Sequence, residues 1–270
     1  MVSLVLKTII SICLVFWSLF AYSQQYFEKA SEEYFKGNLK ASIELFTIAI
    51  ENKEEIAKSY MLRGSAKGES GDFYGAVSDL NFSKKIDSTD YRLYFLFGRT
   101  YFFNGFDNVA LNFLNTSVSL NEKDADVLNF RASVKIKLGD YLGAISDEDN
   151  AIKINPKNNS YFTNRGYAKS MLNLINEAVE DYNKSLLINN SAKGFSNRGY
   201  AYFVMKEYLK AIKDYSEALN ISEKDSEIYY RRGLSYEAMG NHKLACVDFN
   251  ESAELGYSLA IKKVDSYCKN

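Results

Sequence analysis

One residue column repeats along almost the whole chain: Gly64, Gly98, Ala132, Gly166, Gly199 and Gly233, at steps of 34, 34, 34, 33 and 34 residues. A second column keeps pace 12 residues later: Ala76, Ala110, Ala144, Ala178, Ala211 and Ala245. Two small-residue columns in fixed phase restrict the chain to an array of one supersecondary unit whose copies bury their apolar faces against one another. Within a copy such as Thr163 to Asn189, apolar residues recur at three- and four-residue steps in two runs. That period marks a pair of amphipathic helices. The turn of this copy is expected at Leu174-Ile175-Asn176. Other copies carry Gly37-Asn38, Gly71-Asp72, Gly105-Phe106, Gly139-Asp140 and Gly240-Asn241 between the runs. A glycine ends the first helix and an Asp or Asn can start the second.

The small columns have a packing reason. Two helices approach closely only where neither presents a large side chain, so the Gly column serves the first helix and the Ala column the second. Large residues alternate with them: Tyr26, Tyr60, Tyr94, Phe162, Phe195 and Tyr229 lie four before the Gly column, and Phe46, Leu80, Leu114, Tyr182, Tyr215 and Phe249 lie four after the second small column. Interleaved large and small side chains give a core its solid-like density. Proline occurs once, at Pro156, which suits a mostly helical chain.

The Gly column, the Ala column, the aromatic positions and the 34-residue step together resemble the tetratricopeptide repeat (TPR) family, over Gln24 to about Gly256. The resemblance implies an all-α, right-handed superhelical solenoid of antiparallel helix pairs with an inner groove. Seven hairpins are expected over residues 24–257, starting near Gln24, Ala57, Tyr91, Ala125, Asn159, Ala192 and Ser226. A capping helix and tail follow at 258–270, with Leu259, Ile261, Val264 and Tyr267 turned onto the last pair and Lys262, Lys263 and Asp265 toward water. The ending resembles the terminal cap of exported TPR proteins from Bacteroidetes-type bacteria. The chain departs from the family in keeping the closing proline only at Pro156, in a degenerate first copy with Ala30 and Ser42 in the small columns, and in one short step near Asn189-Asn190-Ser191.

Residues 1–23 read as a signal peptide. Lys7 supplies the positive start, Thr8 to Phe20 is an apolar run, and Ala21-Tyr22-Ser23 offers small residues two apart, with cleavage expected after Ser23. An exported protein, periplasmic or secreted, is therefore expected. The alternative is an uncleaved anchor, the one expected route to a membrane, although the run is short for a full span. Cys246 and Cys268 remain after cleavage. They can bridge in an oxidising compartment or serve as two small buried hydrophobes, and both readings stay open here.

Arg63, Arg131, Arg165, Arg198 and Arg232 precede the small residue of the Gly column, and Asp79, Asp147, Asp181, Asp214 and Asp248 fall three after the Ala column. The third copy lacks both types and carries Phe97 and Phe113 instead. Co-occurrence favours structural Arg–Asp pairs over a ligand-binding ladder.

Catalytic chemistry is not visible. The lone histidine, His242, lies in an expected turn, and a zinc site from His242, Cys246 and a carboxylate is not expected, because Cys246 falls in a packed helix and no second histidine is present. Gly64, Gly68 and Gly71 have the wrong spacing for a phosphate-binding loop. No nucleophile–base set, metal set or cofactor motif stands out, so neither an enzyme nor a cofactor is expected. A net charge of −1 disfavours nucleic acid as a ligand.

What remains is a surface. The family's inner groove is lined by the first helix of each copy, which here gives Arg92, Phe95, Arg99, Phe102 and Phe103 in the third copy and Tyr167, Tyr200, Phe203 and Tyr230 further along. Aromatic and Arg residues dominate protein-binding hot spots, and an extended peptide or a helix fits such a groove. For any single ring, packing between copies is the preferred reading. For Phe102 and Phe103 together partial exposure is expected, because neighbours on a helix point about 100° apart. Asn164, Lys193, Asn197 and Arg231 match parts of the family's carboxylate clamp, whose first Lys and Asn are replaced by Thr163 and Tyr167. The expected function is a non-enzymatic scaffold binding a peptide or protein segment. The alternatives are a membrane- or cell-wall-associated envelope assembly factor, and a glycan or small-molecule binder using the Tyr-rich groove.

Overall fold

A computed structural model describes residues Gln25 to Cys268. The expected signal peptide and its cleavage site lie outside the described residues. Among the described residues there are helices and turns and no strand. Among the described residues the helices form two compact units, one ending at Glu122 and the other beginning at Lys123. The first unit holds three hairpins: α1 (Gln25–Phe35) with α2 (Leu39–Glu51), α3 (Ile56–Glu69) with α4 (Phe73–Ile86), and α5 (Tyr91–Phe103) with α6 (Asp107–Leu120). The second holds four: α7 (Ala125–Lys137) with α8 (Tyr141–Ile154), α9 (Asn159–Met171) with α10 (Ile175–Ile188), α11 (Ala192–Val204) with α12 (Tyr208–Ile221), and α13 (Ser226–Ala238) with α14 (His242–Glu254). Within each unit every first helix packs on its own second helix, and that helix packs on the next hairpin.

The sequence dictates these elements locally. Asp72, Asp90, Asp124, Asp140, Asn158, Ser191, Asp225 and Asn241 each accept a backbone N–H from the first turn that follows them. Each satisfies a donor the helix itself leaves unpaired. A residue at positive φ closes each first helix. It is usually glycine, as at Gly139 (φ +83°), but Asn173 and Lys206 (φ +62° each) take its place in the fifth and sixth hairpins. The fifth turn therefore sits one to two residues earlier than expected, and α10 already begins at Ile175.

The small columns do what close approach requires. The Ala column is fully buried. A Cβ added at Gly166 would come within 2.8 Å of the Tyr182 ring. Real Cβ atoms do not come that close, so the glycine is the space into which the tyrosine packs.

The cap differs from expectation. Its α-helix, α15, is short (Ser258–Lys263) and continues as a π-helical turn over Val264–Cys268. Ala260 is buried, while Leu259 and Ile261 are exposed. With the small residue facing the last pair, its two sequence neighbours point about 100° away on either side. Lys263, expected in water, lies over the Phe249 and Tyr267 rings and pairs with Glu237 at 2.7 Å. Cys246 and Cys268 are joined by a disulfide that ties α14 to the π turn.

Candidate functional site

The Arg and Asp columns meet inside the hairpins. Arg63, Arg131, Arg165, Arg198 and Arg232 each direct Nε and a terminal nitrogen at both oxygens of Asp79, Asp147, Asp181, Asp214 and Asp248, at 2.5–2.9 Å. The aspartates are buried. Lys67, Lys135 and Lys169 add a second cation at 2.8 Å to three of them. The remaining guanidinium nitrogen of Arg63, Arg165, Arg198 and Arg232 reaches back to the preceding second helix, at Thr47, Asp149, Asn183 and Ser216. These bidentate pairs are scaffold: they join the two helices of a hairpin and pin it to its neighbour.

The third hairpin fills the same slots with rings. Phe97 stacks on Phe113 at 4.5 Å, and Phe113 stacks on Tyr101 at 5.4 Å, where the second and the fourth to seventh hairpins carry Arg, Asp and Lys or Tyr. Phe73 and Phe106 extend the cluster. Much of the aromatic surplus of this stretch is thus core, and the signal for it was the simultaneous loss of both charges.

The remainder forms a surface of the first unit. Arg92 folds back onto its own helix cap, Asp90, at 2.6–3.1 Å, and stays exposed. Phe95 packs half-buried on the core of Met61, Leu93, Leu96 and Phe97. Arg99 lies 5.8 Å from the Phe95 ring centre and donates to Glu69 at 3.2 Å. Glu69 also accepts from the Tyr34 hydroxyl at 2.6 Å, and that hydroxyl meets Ser65 at 2.9 Å. Burial and the Glu69 carboxylate hold the Tyr34 phenol above its ordinary value. One polar network therefore crosses α1, α3 and α5. Beside it opens a cleft of about 360 Å³, lined by Ser65, Gly68, Glu69, Leu96, Arg99, Thr100, Phe103 and Asn104. Phe103 is 71% exposed, and half-buried Phe102 meets it edge-on at 5.6 Å.

In the second unit, Tyr167 and Tyr200 are 38% and 44% exposed, with Arg231 5.2 Å over the Tyr200 ring. Tyr230 packs on Phe249 and Tyr257, and Phe203 on Tyr208 and the Tyr215 core. These last two expected groove residues contribute largely to packing. Arg231 pairs with Glu227 on its own helix. Lys193 is exposed, whereas Asn197 is half-buried with its Nδ2 unpaired.

Sequence reasoning missed one group. Glu148 occupies, in the fourth hairpin, the slot that holds Phe, Leu or Tyr in the other six. It is fully buried. Oε1 accepts from Asn164 Nδ2 at 3.0 Å, and Oε2 has no partner. Burial above all, with the charges of Asp147 and Asp149, raises its pKa to about 9 against the donor Asn164 and the Arg165 cation. The detectable signal was a gap in a column of large apolar residues.

Cys246 is in the disulfide, which removes the thiolate that a zinc site with His242 would need. Among the described residues no group of His, Cys, Asp and Glu is placed to hold a metal, and no helix is long and apolar enough to cross a membrane.

Family models described as TPR repeat and tetratricopeptide repeat match residues 199–240 and 226–255. No curated protein sequence matches the chain. Among solved structures, a tetratricopeptide repeat protein from Parabacteroides merdae is 21% identical, with a TM-score of 0.68, over 92% of this chain and 99% of that one. PilW, a type IV pilus biogenesis factor, is 13% identical with a TM-score of 0.72 over 79% and 100%. PilF of Pseudomonas aeruginosa is 16% identical with a TM-score of 0.68 over 78% and 97%. Similarity at these identities concerns the fold.

Proposed function

We propose that this chain, which matches tetratricopeptide-repeat models over residues 199–255 and shares its fold with tetratricopeptide repeat proteins, is an exported, non-enzymatic scaffold that binds a peptide or protein segment on the first-helix faces of its hairpins. The observation that carries this reading is the α3–α5 cleft, with Arg99 on its wall and the exposed Phe103 at its rim. An exposed ring beside an arginine and a preformed depression is the arrangement of a binding hot spot. Phe95 and Phe102 support the rim, and Arg92 stands at the start of the same helix. The exposed faces of Tyr167 and Tyr200 offer the second unit a comparable contact. Export is supported by the apolar run before Ala21-Tyr22-Ser23 and by the Cys246–Cys268 bond, which persists in oxidising compartments.

The test is a selection of random peptides on the folded chain, repeated with the Arg99→Ala, Phe102→Ala, Phe103→Ala variant. Selected peptides should lose binding to the variant while its melting temperature holds. Full retention by a folded variant would sink the α5 assignment. A mature N-terminus at Gln24, read by mass spectrometry, is expected on export, and an intact Met1 would favour the membrane-anchored alternative.

A further inference from the structure

The buried acid of the fourth hairpin sits under a patch of α7 and α9 with too many acceptors. Asn164 Nδ2 approaches Asn129 Oδ1 at 2.9 Å, Glu148 Oε1 at 3.0 Å and Ser133 Oγ at 3.3 Å. An amide nitrogen has two hydrogens, so it cannot satisfy three acceptors at once. The Ser133 hydrogen is already given to Asn129 O at 3.1 Å. Glu148 Oε2 is buried without a partner. On the same helix as Asn129, the exposed Asp126 carboxylate takes the hydroxyl of buried Tyr161 at 2.8 Å. A large apolar side chain would fill the Glu148 slot, as it does in the six other hairpins. Retaining a poorly satisfied carboxyl there costs stability, and such departures concentrate at functional sites.

We propose that this patch of α7, α8 and α9 is a binding subsite for a cationic side chain, lysine or arginine, of a bound segment, with Asp126 as its exposed counter-charge and Glu148 as the acid beneath it. The ligand supplies what the patch lacks: several N–H donors and a positive charge. The local cations are committed elsewhere: Arg165 to Asp181 and Asp149, and Lys135 to Asp147. The charged groups acting on Glu148 are Asp147 and Asp149 on α8 and Arg165 on α9; Asp126 on α7 is linked to them through Tyr161, whose hydroxyl it accepts and whose phenol feels both carboxyl groups. A cation placed beside them favours the carboxylate, so binding releases a proton from Glu148 and strengthens as pH rises toward 9. The inference rests on the peptide-scaffold reading but not on α5.

The experiment is calorimetric titration of the full chain with a hexalysine amide, in two buffers of different ionisation enthalpy at neutral pH, with a glycine–serine hexapeptide as control. Hexalysine should bind with proton release, and the control should not bind. Glu148→Gln should keep its melting temperature or raise it, abolish the proton release and weaken binding about tenfold, the loss expected for one charge-assisted contact. Asp126→Asn should weaken binding while leaving the proton release in place. The Arg99, Phe102, Phe103 variant should bind hexalysine as the wild type does, which separates this site from α5. Absence of hexalysine binding would overturn the proposal, as would unchanged affinity and proton release in Glu148→Gln.

Discussion

The third and fourth hairpins depart from the repeat in opposite directions. The third replaces a buried ion pair with stacked rings, Phe97 on Phe113 on Tyr101. The fourth replaces a buried ring or leucine with an acid, Glu148. The first exchange is complete: both charges leave together and the rings fill their places, so no polar group is orphaned. The second is incomplete, because one carboxyl oxygen is buried with no partner. The repeat geometry thus fixes shape at these slots and tolerates either chemistry, provided the exchange is made in matched sets. An unmatched exchange is where a demand other than folding becomes visible.

The largest effect should come from unmatching a set that is now matched. Asp214→Ala removes the carboxylate that takes both Nε and Nη2 of Arg198 in the sixth hairpin. It leaves a mostly buried guanidinium without its counter-charge, and a loss of about 3–5 kcal/mol is expected in urea unfolding. A loss below about 1 kcal/mol would show that the ladder behaves like surface ion pairs.

Making the exchange completely should cost much less. The sixth hairpin already carries Tyr202 where the third carries Tyr101. Arg198→Phe with Asp214→Phe therefore rebuilds the three-ring stack on a second backbone, leaving Asn183 to water. Removing a buried pair is often neutral, but the two rings are bulkier than Arg and Asp, so a net loss within about 1–3 kcal/mol is expected, with strong coupling in the double-mutant cycle. A double variant as unstable as Asp214→Ala would break the comparison, since the third hairpin would then need something beyond matched chemistry.

Much of this fold was legible because the repeat is redundant. The Gly and Ala columns, read alone, place the helix pairs, and the paired loss of Arg and Asp in the third copy already pointed to partners. In the cap, Tyr267 packs on Phe249 as expected, but Leu259 and Ile261 do not, because the small Ala260 sets the face that packs there. The α5 surface was legible in part: exposure at the adjacent pair Phe102 and Phe103 follows from helix geometry and Phe103 is indeed exposed, whereas the stack of Phe97, Phe113 and Tyr101 showed only as a surplus of rings in slots that hold charges elsewhere. Glu148 escaped notice because a carboxylate on a helix is ordinarily solvated. Its burial follows from its place in the large-residue column, a relation between copies that a pass along one copy does not test.

Glu148→Leu completes the fourth hairpin's exchange in the apolar direction and should be the one change here that stabilises, by about 1–3 kcal/mol, the cost of burying a poorly paired polar group. Its pH dependence is the sharper observable. The folded-state pKa is raised to about 9 from an ordinary 4.5. Below 4.5 the acid is neutral in both states, and the wild type bears no ionisation penalty. As pH rises from 4.5 toward 9 the unfolded chain loses its proton first, so the native state binds more protons and wild-type stability falls; above 9 the deficit levels off. The advantage of the leucine variant over wild type should therefore be least at acid pH and grow through neutrality to about pH 9. A constant advantage in urea midpoints from pH 5 to 9 would mean that Glu148 is ionised in the native chain. The acid would then have found a partner, and the fourth hairpin's exchange would be as complete as the third's.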